Sequence, residues 1–373
     1  MSDGDNSYAA RLEKMAQPGG YTVEHTVAEV AGQLGMSPLD IIKLDANENF
    51  FMPKGTIQRF LREVSEECDL RIYPQEEEDR LKELLSDFLD VAVGRVVIGN
   101  GSDELIQQIA HLFLEKGDQA ISVKPTFPMY KHSVLLSEAE YLEVSLNNDF
   151  SIDIEGIMSL INSRTKLLFL CSPNNPTANQ FPLNKVVSLA ERFPGIVVID
   201  EAYGEFAEYS AISLLDEFEN LIVLRTFSKA FGLAGLRLGY AIMNPELATP
   251  ISKRLRLPYP ISSISLRMGL KMLSNANLVK EGVEQVKTER TKLVERLNQI
   301  SGVKAFDSQT NFILLHTNVQ SNKVHQYLLN KGIMIKNLGT VLNFRNCLRT
   351  TVGEPEMNEQ LLEALKEICG GQR

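Results

Sequence analysis

Four polar stretches in this chain carry residue types that do chemistry and are poorly suited to a core. They are Gly99-Asn100-Gly101-Ser102-Asp103, Asn174-Asn175-Pro176, Asp200-Glu201-Ala202-Tyr203 and Thr226-Phe227-Ser228-Lys229, with Arg237 eight residues beyond the lysine. Singly, each has a plain structural explanation: an aspartate caps a turn, a lysine is solvated, a Gly-Asn-Gly-Ser loop turns the chain. Together they make a reaction set. An amine such as Lys229 attacks a carbonyl carbon once its pKa is lowered. A carboxylate such as Asp200 can keep a ring nitrogen protonated, while Tyr203 and Asn175 can hydrogen-bond a ring hydroxyl. Backbone N–H groups of Gly101, Ser102 and Asp103, opening a helix, can cradle a phosphate. Arg237 would add a bidentate contact to it.

What must position these residues is a sheet. Each stretch follows a short apolar run: Val96-Val97-Ile98, residues 166–171 (KLLFLC), Ile196-Val197-Val198-Ile199, and Leu221-Ile222-Val223-Leu224. A fifth run, Ala120-Ile121-Ser122-Val123, leads into Pro125. These runs lack polar alternation, so both of their faces should be covered. Strand–helix alternation predicts a mostly parallel sheet with helices on both sides, and its chemistry lies beyond the carboxyl ends of the strands. A helix is expected from Asp103 to about Leu114. From about Asn275 the texture changes, and Val279, Val283, Val286, Leu293, Leu297 and Ile300 mark one stripe of a long amphipathic helix. Strands at Asn311 to Leu315, Ile333 to Ile335 and Leu348 to Val352, and a closing helix after Pro355, complete a smaller unit. The expected organisation is α/β. Residues 1–45 form an N-terminal arm belonging partly to the small domain. Residues 46–270 form a large domain whose mostly parallel central sheet has helices on both faces, and residues 271–373 form a smaller α+β domain.

Composition narrows the partners. The chain has 373 residues, too many for one ordinary domain, with 44% apolar and 23% charged residues. Its net charge of −10 argues against a nucleic-acid or anionic-membrane surface. An anionic substrate must therefore be captured by local basic residues. No apolar run approaches the roughly 18 residues of a membrane span, and the acidic start Met1-Ser2-Asp3-Gly4-Asp5 is unlike a signal peptide. The cysteines Cys68, Cys171, Cys347 and Cys369 are scattered, as in a cytoplasmic protein with reduced thiols. Neither they nor the five histidines form a metal-binding pattern, so no metal is expected. Lys253, Arg254 and Arg256 are most simply a solvated helix face.

The reaction set suits pyridoxal 5′-phosphate, which takes an amine nucleophile, a carboxylate for its pyridine nitrogen and a phosphate cradle. Ser228-Lys229-Ala230-Phe231-Gly232-Leu233-Ala234-Gly235-Leu236-Arg237-Leu238-Gly239 resembles the lysine segment of fold-type-I aminotransferases. Asn174-Asn175-Pro176-Thr177 and Asp200-Glu201-Ala202-Tyr203 resemble their ring-binding motifs. Lys43-Leu44-Asp45-Ala46-Asn47-Glu48-Asn49, Arg71-Ile72-Tyr73-Pro74, Gly101-Ser102-Asp103-Glu104, Pro125-Thr126-Phe127-Pro128-Met129-Tyr130 and Cys347-Leu348-Arg349 are similar to the histidinol-phosphate aminotransferase family in particular. The resemblance covers nearly the whole chain.

That resemblance implies a homodimer that transfers the amino group of L-histidinol phosphate to 2-oxoglutarate, giving imidazole acetol phosphate and L-glutamate. It implies that Lys229 holds the cofactor covalently and shuttles the proton, with Asp200 and Tyr203 as its partners. Phe127 would stack on the ring, and Thr226 and Ser228 would join Arg237 at the phosphate. Tyr73 would reach the phosphate of the neighbouring subunit's cofactor. Arg349 would bind the substrate, with Lys336, Tyr21 and Asn47 beside it. Four positions depart from the family pattern: Phe127 for tyrosine, Phe50 for proline, Lys336 for arginine, and Ala178 for glycine. At Ala178 the turn must avoid a positive φ or accept strain.

Two readings on the same cofactor stay open, an aromatic-amino-acid aminotransferase and a threonine-phosphate decarboxylase. A nicotinamide-dependent dehydrogenase fits poorly, because the third glycine of G-x-G-x-x-G would fall on Glu104.

Overall fold

The computed structural model describes Tyr8, residues 25–255 and residues 257–370; Tyr21 and Arg256 lie outside the described residues. The large sheet contains β1 (Val96–Gly99), β2 (Gln119–Lys124), β3 (Glu140–Ser145), β4 (Thr165–Cys171), β5 (Ile196–Asp200), β6 (Leu221–Thr226) and β7 (Gly239–Met243). Their order across the sheet is β1-β7-β6-β5-β4-β2-β3. β7 runs antiparallel to both of its neighbours, β1 and β6, so the other six strands all point the same way.

The apolar runs produce this sheet because each strand supplies two cores at once. Leu168 and Leu170 of β4 face one cluster, while Leu167, Phe169 and Cys171 face the other. Val197 and Ile199 of β5 separate from Val198 in the same way, as do Leu221 and Val223 of β6 from Ile222 and Leu224. Burying such a side chain stabilises the fold by about 1.5–3 kcal/mol. A polar residue at any of these positions would be left without water on either side. The helix expected from Asp103 runs over Ser102–Phe113 and buries Leu105, Ile106, Ile109 and Ala110 against the sheet.

The small antiparallel sheet contains β8 (Val303–Ala305), β9 (Phe312–Thr317), β10 (Lys336–Val341) and β11 (Phe344–Thr351), in the order β10-β11-β9-β8. The long helix spans Ala276–Asn298 and buries Val279, Val283, Val286, Leu293 and Leu297; Ile300 is buried just beyond its end. The closing helix is Pro355–Gly370. Of the described residues before 45, those from Thr26 to Lys43 join this unit. Thr26 and Glu29 form a capping box on the helix Val27–Leu34, whose Val30 and Ala31 pack with Leu329 and Met334. Ile42 and Lys43 then pair in parallel with Ile333 and Met334. Among the described residues no helix is long and apolar enough to cross a membrane.

Ala178 resolves the question posed by its sequence position. It keeps the left-handed conformation, φ 65°, and is fully buried. Its N–H donates to the Asn174 carbonyl and its carbonyl accepts from Gln309 N. The turn thus retains its shape and accepts strain of about 1–2 kcal/mol.

Candidate active site

Five strand ends, those of β1, β2, β4, β5 and β6, open on one edge of the large sheet. The loop from Thr226 to Gly239 both leaves and returns to that edge, because β7 runs back against β6. Lys229 and Arg237 are therefore kept on the same side of the molecule. A helical crossover to a parallel strand would have carried the chain away from it.

Asp200 ends β5 and is 2% exposed. Its Oδ2 accepts from the Tyr130 hydroxyl at 2.8 Å and its Oδ1 from Ala202 N at 3.0 Å. Burial pushes its pKa up to about 6, against the opposing effect of those two hydrogen bonds. Lys229 Nζ donates to the Ala46 carbonyl at 2.9 Å and lies 5.7 Å from the centre of the Tyr203 ring. Burial, then the nearby Arg349 guanidinium, brings its pKa down to about 8. A lysine so placed has an appreciable neutral fraction near pH 8 and is a competent nucleophile. The buried Tyr203 hydroxyl accepts from Asn47 Nδ2 at 2.9 Å, and its ring meets Phe312 edge-on. Burial raises the Tyr203 pKa, so the phenol stays protonated.

Arg349 of β11 reaches across from the small sheet. Its Nη1 donates to Asn175 Oδ1 at 2.7 Å and its Nη2 to the Asp45 carbonyl at 2.6 Å. Lys336 sits directly opposite it in the β10–β11 register, so the two cations share one face of the small sheet. Residues 45–47 tie these parts together. Asp45 receives Arg349, Ala46 receives Lys229, and Asn47 bonds Tyr203 through its side chain and Thr351 Oγ1 through its N–H. Asn47 adopts a left-handed φ of 55°, and the carbonyl of that residue accepts from Asn311.

A second cluster forms an anion cradle. Gly101 precedes the helix Ser102–Phe113, whose start has no side-chain cap. Arg237 donates to Ser228 Oγ at 3.2 Å and to Asp103 Oδ2 at 2.9 Å, and Ser228 N donates to Thr226 Oγ1. A Cβ on Gly101 would stand 2.7 Å from Arg237 Nη2, and one on Gly239 would stand 2.4 Å from Ser102 N. Uncapped N–H groups, two hydroxyls and a guanidinium are the donor set of a phosphate dianion. The residues present therefore fit the phosphate of pyridoxal 5′-phosphate, and the buried Asp200 and amine of Lys229 fit its ring and aldehyde. Gly101→Ala combines a positive φ of 83° with that contact. It is expected to weaken binding of a phosphate-bearing cofactor by about tenfold or more, read by fluorescence titration of the cofactor-free protein.

The structure thus brings together Gly101, Ser102, Asp103, Thr226, Ser228 and Arg237 in one cluster, and Asn47, Asn175, Asp200, Tyr203, Lys229 and Arg349 in the other. Phe127 follows β2, with its ring edge-on to Tyr130. Tyr73 stands apart, 69% exposed and stacked on Tyr259 at 4.6 Å. Sequence reasoning missed Tyr130 as the partner of Asp200; the available signal was its place three residues after Phe127, at the start of a helix. It also missed Asp45 and Ala46, whose carbonyls act and whose side chains carry no signal.

The chain matches the family described as aminotransferase class I and II over residues 39–365. It is 37% identical over 327 residues to a histidinol-phosphate aminotransferase of Caldanaerobacter subterraneus subsp. tengcongensis, covering 87% of this chain and 92% of the relative. It is 39% identical over 329 residues to histidinol-phosphate aminotransferase 1 of Carboxydothermus hydrogenoformans, covering 88% and 93%. The crystal structure of histidinol-phosphate aminotransferase from Sinorhizobium meliloti in complex with pyridoxal-5′-phosphate is similar with a TM-score of 0.84. Identity to it is 26%, over 94% of this chain and 95% of that one.

Proposed function

From a chain that belongs to the class I and II aminotransferases, we propose a pyridoxal-phosphate enzyme that transfers the amino group of L-histidinol phosphate to 2-oxoglutarate. The products are imidazole acetol phosphate and L-glutamate. The observation that carries the chemistry is the pairing of a buried carboxylate, Asp200, with an amine of lowered pKa, Lys229, beside an anion cradle on one sheet edge. The substrate rests on relatives of that name, 37% and 39% identical, that this chain spans almost fully.

Bound pyridoxal phosphate supplies an aldehyde that receives the amino group and a ring that takes up the electrons of the broken Cα–H bond. The chain's own residues do the rest. Gly101, Ser102, Asp103, Thr226, Ser228 and Arg237 hold the phosphate. Asp200 keeps the ring nitrogen protonated, Tyr203 and Asn175 hydrogen-bond the ring hydroxyl, and Phe127 covers a ring face. Lys229 would remove the proton from the substrate Cα and deliver it on the far side of the amino nitrogen, which is what moves the amino group off the substrate. Arg349 and Lys336, on one face of the small sheet, take the substrate phosphate and, alternately, the 2-oxoglutarate carboxylates; Asn47 lines the same space.

A homodimer is part of this reading. Leu70, Ile72, Tyr73, Leu257 and Tyr259 are all exposed on two surface loops, and Tyr73 stacks on Tyr259. An aromatic and aliphatic patch of this kind supports association, with Tyr73 reaching the partner's cofactor phosphate. A division into a large and a small unit is supported by the separate seven-stranded and four-stranded sheets, although the boundary at 270/271 falls within the helix Ser263–Leu273. Scattered cysteines support a reducing, cytoplasmic setting.

Absorption spectroscopy of the reconstituted protein tests the assignment. The visible band is expected to fall with stoichiometric L-histidinol phosphate and to return with 2-oxoglutarate. A band that responds only to phenylalanine moves the enzyme to aromatic substrates, and release of carbon dioxide from threonine phosphate moves it to decarboxylation. Absence of any band after reconstitution overturns the cofactor.

A further inference from the structure

We propose that Tyr130 is a positioning residue for the site, its phenol fixing the orientation and the charge of Asp200. The inference rests on the reading of Asp200 given above and deepens it. Asp200 has every reason to be neutral. It is 2% exposed, and the nearby carboxylates Asp103 and Glu201 push its pKa up further, although the cations Lys229 and Arg349 stand in the same cluster. The Cys171 thiol at the end of β4 and the Tyr203 phenol also lie within its field, and neither brings a positive charge. Two donors oppose this: the Ala202 N–H, which any residue at that position would supply, and the Tyr130 hydroxyl. The phenol is therefore the side chain on which the ionised form depends. An O–H donated to a carboxylate is a charge-assisted hydrogen bond, short and strongly directional.

Its direction is built in. Tyr130 lies in the first turn of the helix Met129–Leu136 and is fully buried. Its ring stacks on Phe169 with centroids 5.1 Å apart and planes 7° apart, and Phe127 meets it edge-on at 5.8 Å and 81°. Phe169, Cys171 and Tyr130 belong to one cluster, on the sheet face opposite Leu168 and Leu170. Held between two rings, the phenol cannot swing away from Asp200. Burial raises its own pKa, so it remains a donor across the working range. A phenylalanine would fill the same space, so packing alone does not call for the hydroxyl.

The sign follows. Removing the donor raises the Asp200 pKa further above about 6, so less of the carboxylate is ionised at a given acidic pH. The decisive measurement is the infrared carboxyl titration of the cofactor-free protein, assigned to Asp200 by subtraction of an Asp200→Asn sample. Tyr130→Phe is expected to move the midpoint up by about 1–2 pH units. Cofactor affinity is expected to fall about tenfold at about pH 6 and less than about twofold at about pH 9. Should the variant fold poorly, 3-fluorotyrosine in place of tyrosine gives a second route. That more acidic phenol donates more strongly, and the midpoint is expected to move down. An unchanged midpoint in both experiments overturns the proposal, as does an equal loss of affinity at both pH values. A shifted midpoint with unchanged cofactor affinity upholds the control of Asp200 by Tyr130 and overturns, instead, the assignment of Asp200 to the ring nitrogen.

Discussion

Lys229→Ala is expected to lower turnover by about 10⁴-fold or more, the upper range for a positioned acid–base group, because it removes the amine assigned to the substrate proton. The effect should fall on the rate and not on the protein. Folding currently holds this ammonium where its pKa is about 8 instead of the usual 10.5. The folded chain therefore binds the proton less readily than the unfolded chain does. That costs stability at neutral pH, and the cost fades as pH rises from about 8 towards 10.5. Alanine removes both the amine and the cost, while the Ala46 carbonyl, partly exposed, can turn to water. The variant should unfold at the same temperature as the parent at about pH 7, or higher. The cradle at Arg237 is untouched, so the cofactor should still bind without a covalent link. Steady-state assays with added cofactor, set beside thermal unfolding, check both halves. Turnover near that of the parent would sink the assignment of Lys229.

The sequence made some of this legible and hid the rest for physical reasons. Runs such as Ile196-Val197-Val198-Ile199, short, β-branched and bounded by polar residues, read as strands buried on both faces, so the sheet was legible in the sequence. The stripe from Val279 to Leu297 was equally readable, because helical periodicity persists over the 23 residues of Ala276–Asn298. The return of β7 against β6 was not readable. Gly239 to Met243 looks like any other apolar strand, and direction is decided by how its neighbours pair. Yet that direction is what sets Arg237 beside Ser228. The placing of Lys336 opposite Arg349 was hidden too. They lie thirteen residues apart, and register shifts at Asn337/Gly339 and Gly339/Val341 break simple counting along the hairpin. Ala178 shows a third kind of gap. Its side chain argues for an ordinary turn, but the hydrogen bonds to Asn174 and Gln309 hold the backbone left-handed all the same.

Asp200→Asn keeps the shape of the site and removes its charge, and turnover is expected to fall by roughly 10³-fold. That is the upper range for loss of one preorganised electrostatic partner, since a neutral amide cannot keep a ring nitrogen protonated. Stability should move the other way with pH. The folded pKa of Asp200, about 6, lies above the ordinary 3.8, so the fold penalises the ionised form. Sign matters here. The penalty is absent below about pH 4, where the carboxyl is protonated in both states, grows between about pH 4 and 6, and is complete above that. Two units or so of raised pKa correspond to about 3 kcal/mol. The asparagine variant carries no such penalty; its amide oxygen can take the Ala202 N–H and its N–H₂ can donate to the Tyr130 hydroxyl, and whatever this exchange costs is the same at every pH. Relative to the parent, the cofactor-free variant should therefore gain about 2 kcal/mol or slightly more between about pH 4 and pH 7, whatever the constant offset. Denaturant unfolding of both proteins at the two pH values measures that swing directly. A flat difference would mean that Asp200 is not the strained acid its burial implies, and a variant of near-normal rate would mean that its charge does no chemistry. Finding both, a slower and relatively more stable protein, would identify Asp200 as a residue kept for reactivity at the expense of the fold.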